Sequence, residues 1–281
     1  MEVKASDVKK LREKTGAGMM DCKKALIEAE GDFAGAEKIL KELGLAAAAK
    51  KMGRATNEGR VFAKVQDKVA ALVELSCETD FVARNADFIN LGGEIADAVI
   101  ARDAAADDPE LQEKVKAAIG TIKENMALRR VARITASDSE LLVDYIHGET
   151  GRIGVVVKLA VDKPEFLEND AVKQFAFDSA LHVAAFNPLF LSEEAVDPTY
   201  LKEQEEIFTT QAKNLGKPEK VVQGIVKGKM RKHLSEISFV NQPFVKDEKK
   251  TVKQVADEVG KEIGGSVAIT DFRYFRVGEE A

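Results

Sequence analysis

Two cysteines in 281 residues cannot build a disulfide framework, and Cys22 and Cys77 do not stand in the paired spacing of a zinc or redox motif. Both read as buried thiols. The three histidines, His147, His182 and His233, are scattered, so there is no H-E-x-x-H metal site and no nucleophile elbow. No metal and no cofactor are expected. No run approaches the roughly eighteen apolar residues of a membrane helix. The start, Met1-Glu2-Val3-Lys4-Ala5-Ser6-Asp7, carries charge where a signal peptide needs its apolar core. The expectation is a cytoplasmic protein with no membrane partner. Excess basic charge is lacking too: the formal net charge is −6, which opposes binding by phosphate neutralisation. Lys50-Lys51 and Arg129-Arg130 are local pairs only. Thr15-Gly16-Ala17-Gly18 lacks the lysine and hydroxyl of a phosphate-binding loop. Direct nucleic-acid binding and nucleotide hydrolysis are both unexpected.

What is present is a 45% hydrophobic, 32% charged chain, long enough for two domains or for one with appendages. Residues 4–52 read as helices alone. Ser6 is placed to cap a first helix carrying Val8 and Leu11, and Asp21 a second with Cys22, Ala25, Leu26 and Ala29 on one face. Gly31-Asp32 starts a third with Phe33, Ala36, Ile39, Leu40 and Leu43, and Gly44 marks a stop before the alanine-rich Ala46 to Ala49. Three short helices over 1–52 make a docking module too small to be very stable alone. The polar, glycine-containing stretch that follows reads as a linker over 53–59.

Strand patterns cover Arg60 to Gln66 and Val69 to Leu75, with Asp67-Lys68 as a tight turn between them. Helical spacing follows at Phe88, Leu91, Ile95, Ala98 and Val99 and again from Pro109 to about Ile119, and Arg130 to Thr135 closes a β-β-α-α-β unit over 60–140. The order then repeats within 141–281. Leu141 to His147 and Arg152 to Leu159 form a second hairpin, Val172 to Ala185 a helix and Val267 to Arg276 a late strand, the pattern of an internal duplication. This half holds an insertion at about 192–234. Asp197-Pro198 starts one helix and Pro218 another, with Leu201, Ile207, Phe208 and Leu215 on the first and Val221, Val222, Ile225, Val226 and Met230 on the second. They form an antiparallel helical hairpin, a coiled-coil arm. The fold class is α+β: a three-helix module, a core of two antiparallel-sheet subdomains with flanking helices, and the inserted arm.

One stretch stands apart. Cys77-Glu78-Thr79-Asp80-Phe81-Val82 follows the clearest strand and precedes a helix, which places Phe81 at a corner where side chains tend to point away from the sheet. By spacing alone, Thr79 or Asp80 is also a helix N-cap with Phe81 as its hydrophobic staple.

Thr15-Gly16-Ala17-Gly18-Met19-Met20-Asp21-Cys22-Lys23-Lys24-Ala25-Leu26 and Glu78-Thr79-Asp80-Phe81-Val82-Ala83 closely resemble the two signature stretches of the bacterial elongation factor Ts family. The likeness extends through Arg129-Arg130, Tyr145-Ile146-His147-Gly148 and Gln242-Pro243-Phe244-Val245, in the family's order and over about the whole chain. It implies a nucleotide exchange factor for the translational GTPase elongation factor Tu, with no covalent chemistry of its own. It implies that the helical module, similar to ubiquitin-associated domains, docks on the partner's nucleotide domain, with Met20 and Lys23 at contact positions. It implies that Thr79, Asp80, Phe81 and Val82 intrude, that Phe81 wedges between two helices of the GTPase, and that magnesium and then GDP are lost. His147 matches an assisting residue in the second subdomain. Two features depart from longer members: Lys123 stands where a glycine is often found, and the chain stops at Ala281 where they continue into a C-terminal helix, so contacts through that helix are expected to be absent. Two other classes stay open on the residues: a non-catalytic, ubiquitin-associated-like adaptor in which the corner is only a cap, and an enzyme using Cys77 as nucleophile with a histidine.

Overall fold

The computed structural model describes residues 3–216 and 218–279. Met1, Glu2, Lys217, Glu280 and Ala281 lie outside the described residues, so the first two residues of the charged start and the last residue have no structural account. Helices α1 (Ala5–Thr15), α2 (Met19–Glu28) and α3 (Phe33–Lys51) lead into β1 (Glu58–Gln66) and β2 (Val69–Cys77). A single turn, α4 (Asp80–Ala83), then α5 (Ala86–Arg102) and α6 (Pro109–Ile122), precede β3 (Met126–Thr135). The second half runs β4 (Glu140–His147), β5 (Ile153–Val161), α7 (Asp170–Phe186), the arm helices α8 (Pro198–Lys213) and α9 (Glu219–Ile237), β6 (Pro243–Phe244), β7 (Asp247–Thr251), α10 (Val252–Glu262) and β8 (Val267–Arg276).

Several helix ends differ from the sequence reading. Ser6 lies inside α1, whose N-cap is Lys4, and Asp21 lies in the first turn of α2, after Gly18. An acid in the first turn still suits the positive end of a helix without capping it. Asp32 does cap α3, accepting from Ala34 and Gly35 N–H. Gly44 is no stop: α3 continues to Lys51 because Gly44 and Gly120 let α3 and α6 cross backbone to backbone. A Cβ added to Gly120 would stand 2.7 Å from the Gly44 Cα. The third helix therefore leans on the core, and buried Ala48 belongs to the core's apolar cluster. The small module is not alone.

The two three-stranded antiparallel sheets have the orders β1-β2-β3 and β4-β5-β8, and each carries the same irregularity. Glu74 pairs with Arg130 but Leu75 with Leu128, leaving Arg129 extra; Lys158 pairs with Asp271 but Leu159 with Ile269, leaving Thr270 extra. Met126-Ala127-Leu128 precede the first bulge and Val267-Ala268-Ile269 the second, so the bulge sits at one position of a shared plan. A latch is shared too. The acid after each central strand accepts from the amide just ahead of the third strand: Glu78 from Asn125 at 2.6 Å, Asp162 from Ser266 at 2.9 Å. This is the geometry of an internal repeat.

The sheets stack face to face. Val61, Ala70, Leu72 and Ile134 of the first meet Leu142, Val156 and Phe275 of the second, while α5 and α6 cover the outer face of one sheet and α7 and α10 that of the other. Arg130 joins the layers: its Nε lies 2.6 Å from buried Glu74, its Nη2 donates to the Arg276 carbonyl at 3.0 Å, and its guanidinium covers the Phe275 ring at 4.4 Å. Glu58 and Gly59, expected in the linker, already pair with Cys77 and Ser76 in β1. Buried Thr56 fixes the chain just before them through Ser76 at 2.9 Å and Arg129 at 3.0 Å.

In the arm, Ala212, Val222 and Val226 are buried, with Phe208, Ile225 and Met230 beside them. Ile207, Leu215 and Val221, expected in the seam, are exposed. Neighbouring helix residues lie about 100° apart, so of Ile207 and Phe208 only one faces the partner helix. Helix α10 escapes the sequence reading, although Thr251 and Gln254 form a capping box ahead of Val252, Val255, Ala256 and Val259.

Candidate functional site

Strand β2 ends at Cys77, and every polar group of Thr79 is then tied. Its N–H and hydroxyl donate to the two carboxylate oxygens of Glu124, at 3.0 and 2.7 Å. The same hydroxyl oxygen accepts from Val82 N–H at 3.3 Å, capping α4, and the Thr79 carbonyl accepts from the Cys77 thiol at 3.1 Å and from Ala83 N–H at 3.2 Å. Val82 packs against the first core. Phe81 turns the other way and is 82% exposed. It is not a staple: the next long helix, α5, has its own cap, Asn85, which accepts from Asp87 N–H at 2.7 Å. Exposed Asp80 beside it meets Arg84 at 3.1 Å.

The corner stands on charge as well. The Asn125 N–H holds the Glu78 carboxyl below the usual carboxylate range, and Arg54 at 3.4 Å assists against partial desolvation. Asn125 in turn donates its side-chain amide to the Arg54 carbonyl at 2.8 Å. Burial pushes the Cys77 thiol up to about 12, and the Glu124 charge adds to it. Fully buried and donating to the Thr79 carbonyl, the neutral thiol is not presented to a substrate, which speaks against Cys77 as a nucleophile.

His147 is the last residue of β4, paired with Ile153 and exposed. Its Nδ1 meets the Tyr145 hydroxyl at 3.1 Å, and Tyr145 stands edge-on to Phe177 at 6.0 Å. The hairpin behind it leans on β1: Gly151 O accepts from Val61 N–H at 2.8 Å, and Arg152 pairs with Glu58. Glu58 is the ladder partner of Cys77. The corner and the His147 hairpin are thus joined through one residue of β1. On α2, Cys22, Ala25 and Leu26 face inward while Met20, at 64% exposure, Lys23 and half-exposed Ile27 face water. Asp21 of the same helix meets Lys123 at 3.6 Å.

The sequence reading missed Arg54, Glu124 and Asn125. Their signal is a long-range hydrogen bond, and no local spacing carries that. Conversely, two motif stretches prove to be framework. Gln242 meets buried His182 Nε2 at 2.8 Å, and Val245 N–H donates to His182 Nδ1 at 3.2 Å. The His182 ring stacks with Phe186, Phe239 and Phe244. Arg129 and Arg130, read as a local pair, are the bolts described above. Among the described residues no helix is long and apolar enough to cross a membrane.

Comparison with known proteins fits this arrangement. The family described as Elongation factor TS matches residues 78–279, from the latch acid to just past the last strand of the second sheet. The chain is 50% identical to Elongation factor Ts of Treponema denticola over 278 residues, 99% of each chain. It is 45% identical to that of Borrelia hermsii over 99% of this chain and 100% of the relative, and 46% identical to that of Borreliella burgdorferi over 98% and 99%. With the signature corner, the doubled sheets and near full-length likeness together, this chain belongs to the elongation factor Ts family.

Proposed function

We propose that the chain is a guanine nucleotide exchange factor for the translational GTPase elongation factor Tu, acting in the cytoplasm with no covalent chemistry and no cofactor of its own. Phe81 carries this reading: a large ring held in water at the tip of a turn whose neighbours are all tied. Burying that ring against a partner is worth roughly 1.5 to 3 kcal/mol, about one to two decades in an equilibrium. A tightly held nucleotide needs more. Insertion of Thr79, Asp80, Phe81 and Val82 beside the partner's magnesium supplies the rest, because that ion neutralises the phosphates the site holds. Asp80 brings negative charge there, Thr79 and Val82 hold the turn, and His147 touches the partner from the neighbouring hairpin. Met20 and Lys23 dock α2, whose outward face is partly apolar. By linkage, a factor that weakens nucleotide binding is itself displaced by nucleotide to the same degree.

The test is release of a fluorescent GDP from purified elongation factor Tu with substoichiometric amounts of this protein. Faster release is expected, and an unchanged rate overturns the reading in favour of an adaptor. Raising magnesium from low to high millimolar is expected to weaken the stimulation; indifference removes the ion from the account.

A further inference from the structure

We infer that Glu124 is a positioning residue for the Thr79–Val82 corner, a carboxylate that sets the direction in which Phe81 is presented. The inference rests on the exchange reading above and names a residue outside the segment to which that reading gives the work.

The geometry is a two-pronged clasp. Both oxygens of Glu124 accept from one residue, Thr79, through its N–H and its hydroxyl. That fixes the backbone and the side chain of Thr79 together, and Thr79 is the cap on which the single turn Asp80–Ala83 depends. A helix of one turn has no cooperative length of its own. Its direction comes from its cap, and the cap's direction comes from Glu124.

Glu124 sits in a strut of three residues. Lys123 ends α6 in the left-handed conformation, with φ 70°, and swings the chain toward the corner. Its ammonium meets Asp21 of α2 at 3.6 Å, and its carbonyl accepts from Lys51 of α3. Asn125 holds Glu78 and the Arg54 carbonyl. The strut therefore connects the helices of the docking module to the corner, with Glu124 as the contact on Thr79.

The internal repeat supplies a comparison within the same molecule. The shared latch aligns Asn125 with Ser266, which aligns Lys123 with Gly264 and Glu124 with Gly265. The conformation agrees: Gly264 has φ 73°. The second half has no carboxylate at this place; in the same register Phe81 aligns with exposed Glu165, and Val82, which lies against the first core, aligns with Phe166. A Cβ on Gly265 would stand 2.4 Å from the ring of Phe166, which lies against the second core. In the first half the carboxylate at this place clasps Thr79; in the second a glycine stands there, the Phe166 ring fills the space beside it, and Lys163 is the residue aligned with Thr79.

The experiment measures stimulated GDP release from elongation factor Tu across factor concentrations for the parent, Glu124→Ala, Glu124→Gln, Phe81→Ala and the double variant Glu124→Ala/Phe81→Ala. Glu124→Ala is expected to lower the maximal rate about tenfold, since misplacing a working group by about 1 Å costs up to about a hundredfold. The concentration giving half-maximal stimulation should move less than about threefold, because the α2 face is untouched. Glu124→Gln keeps one acceptor and should fall between. In the Phe81→Ala background, loss of Glu124 should add less than about twofold, since residues acting as one unit do not add. An unchanged maximal rate, equal losses in rate and half-saturation, or full additivity overturns the inference. Should Glu124→Ala melt early, the isosteric Glu124→Gln decides by the same criteria. A parent that stimulates release while Phe81→Ala matches it fails the wedge reading instead, and the two failures stay distinct.

Discussion

After β2 and after β5 the chain does the same thing once and then two different things. Glu78 and Asp162 latch the amides ahead of β3 and β8. From there the first half ties Thr79 outward and leaves Phe81 in water, while the second enters a short 3₁₀ turn, Pro164–Glu168, with Phe166 laid on its own core and the Lys163 ammonium 5.4 Å from the ring centre. The outward position is common to both turns, Phe81 in one and Glu165 in the other, and what differs is the side chain placed there. Both copies turn the next residue inward, Val82 in the first and Phe166 in the second, but only the first ties its turn to a carboxylate, Glu124, where the second has Gly265.

That comparison can be broken at the joint between the halves. Arg130→Ala leaves buried Glu74 without its charged partner, the Gly278 N–H alone remaining at 3.0 Å, and is expected to destabilise the protein by about 3 kcal/mol, read by chemical denaturation. A loss confined to the second sheet would show that the halves are held by apolar stacking alone. The two aromatics come next. Phe81→Ala should slow stimulated GDP release by about ten- to a hundredfold with stability unchanged, the equivalent of about 1.5 to 3 kcal/mol. Phe166→Ala should do the reverse, losing about 1 to 2 kcal/mol of stability for its half-buried ring with exchange intact. If both variants lose the same property, the two corners are not different devices.

A smaller contrast is set by acid. Burial lowers the pKa of His182 in the second half, against a supporting bond from Gln242. The unfolded chain then takes up this proton first, so the stability is full above the ordinary histidine value of about 6.5 and is lost as pH falls below it. The carboxylates held low, Glu78 among them, act only below about pH 4.5. Denaturation at pH 7.5 and 5.5 should show the histidine effect, flattened in His182→Gln; an equal loss in that variant assigns it elsewhere. The smallest effect belongs to the exposed pair at the corner: Arg84→Ala should change stability by less than about 0.5 kcal/mol, measured by thermal unfolding.

Much of the plan is legible in the amino-acid order. Asp67-Lys68 between two alternating runs is a hairpin, and Asp67 takes the positive φ of 52° that such a turn needs. Asp197-Pro198 and Asp108-Pro109 are helix starts, each with the aspartate accepting from the first-turn amides. Gly44 misleads, because a glycine that ends a helix and a glycine that lets two helices touch look alike until the second helix is in place. Lys123 looks like a departure from a glycine and yet occupies the left-handed cap that glycine favours. The arm's seam was half legible: its helices were, but which of two adjacent apolar residues faces the other helix depends on rotation about an axis.

The sequence by itself determined the element types, the repeated order and the corner at Thr79–Val82, because propensity, turn chemistry and hydrophobic period act over a few neighbouring residues. Only the tertiary structure decided that Phe81 is free of the staple the spacing also allowed, that the Cys77 thiol donates to the Thr79 carbonyl, and that Glu124 clasps a residue far away in the chain. Hydrogen bonds and burial depend on distance in space, and the chain's own spacing does not encode that distance.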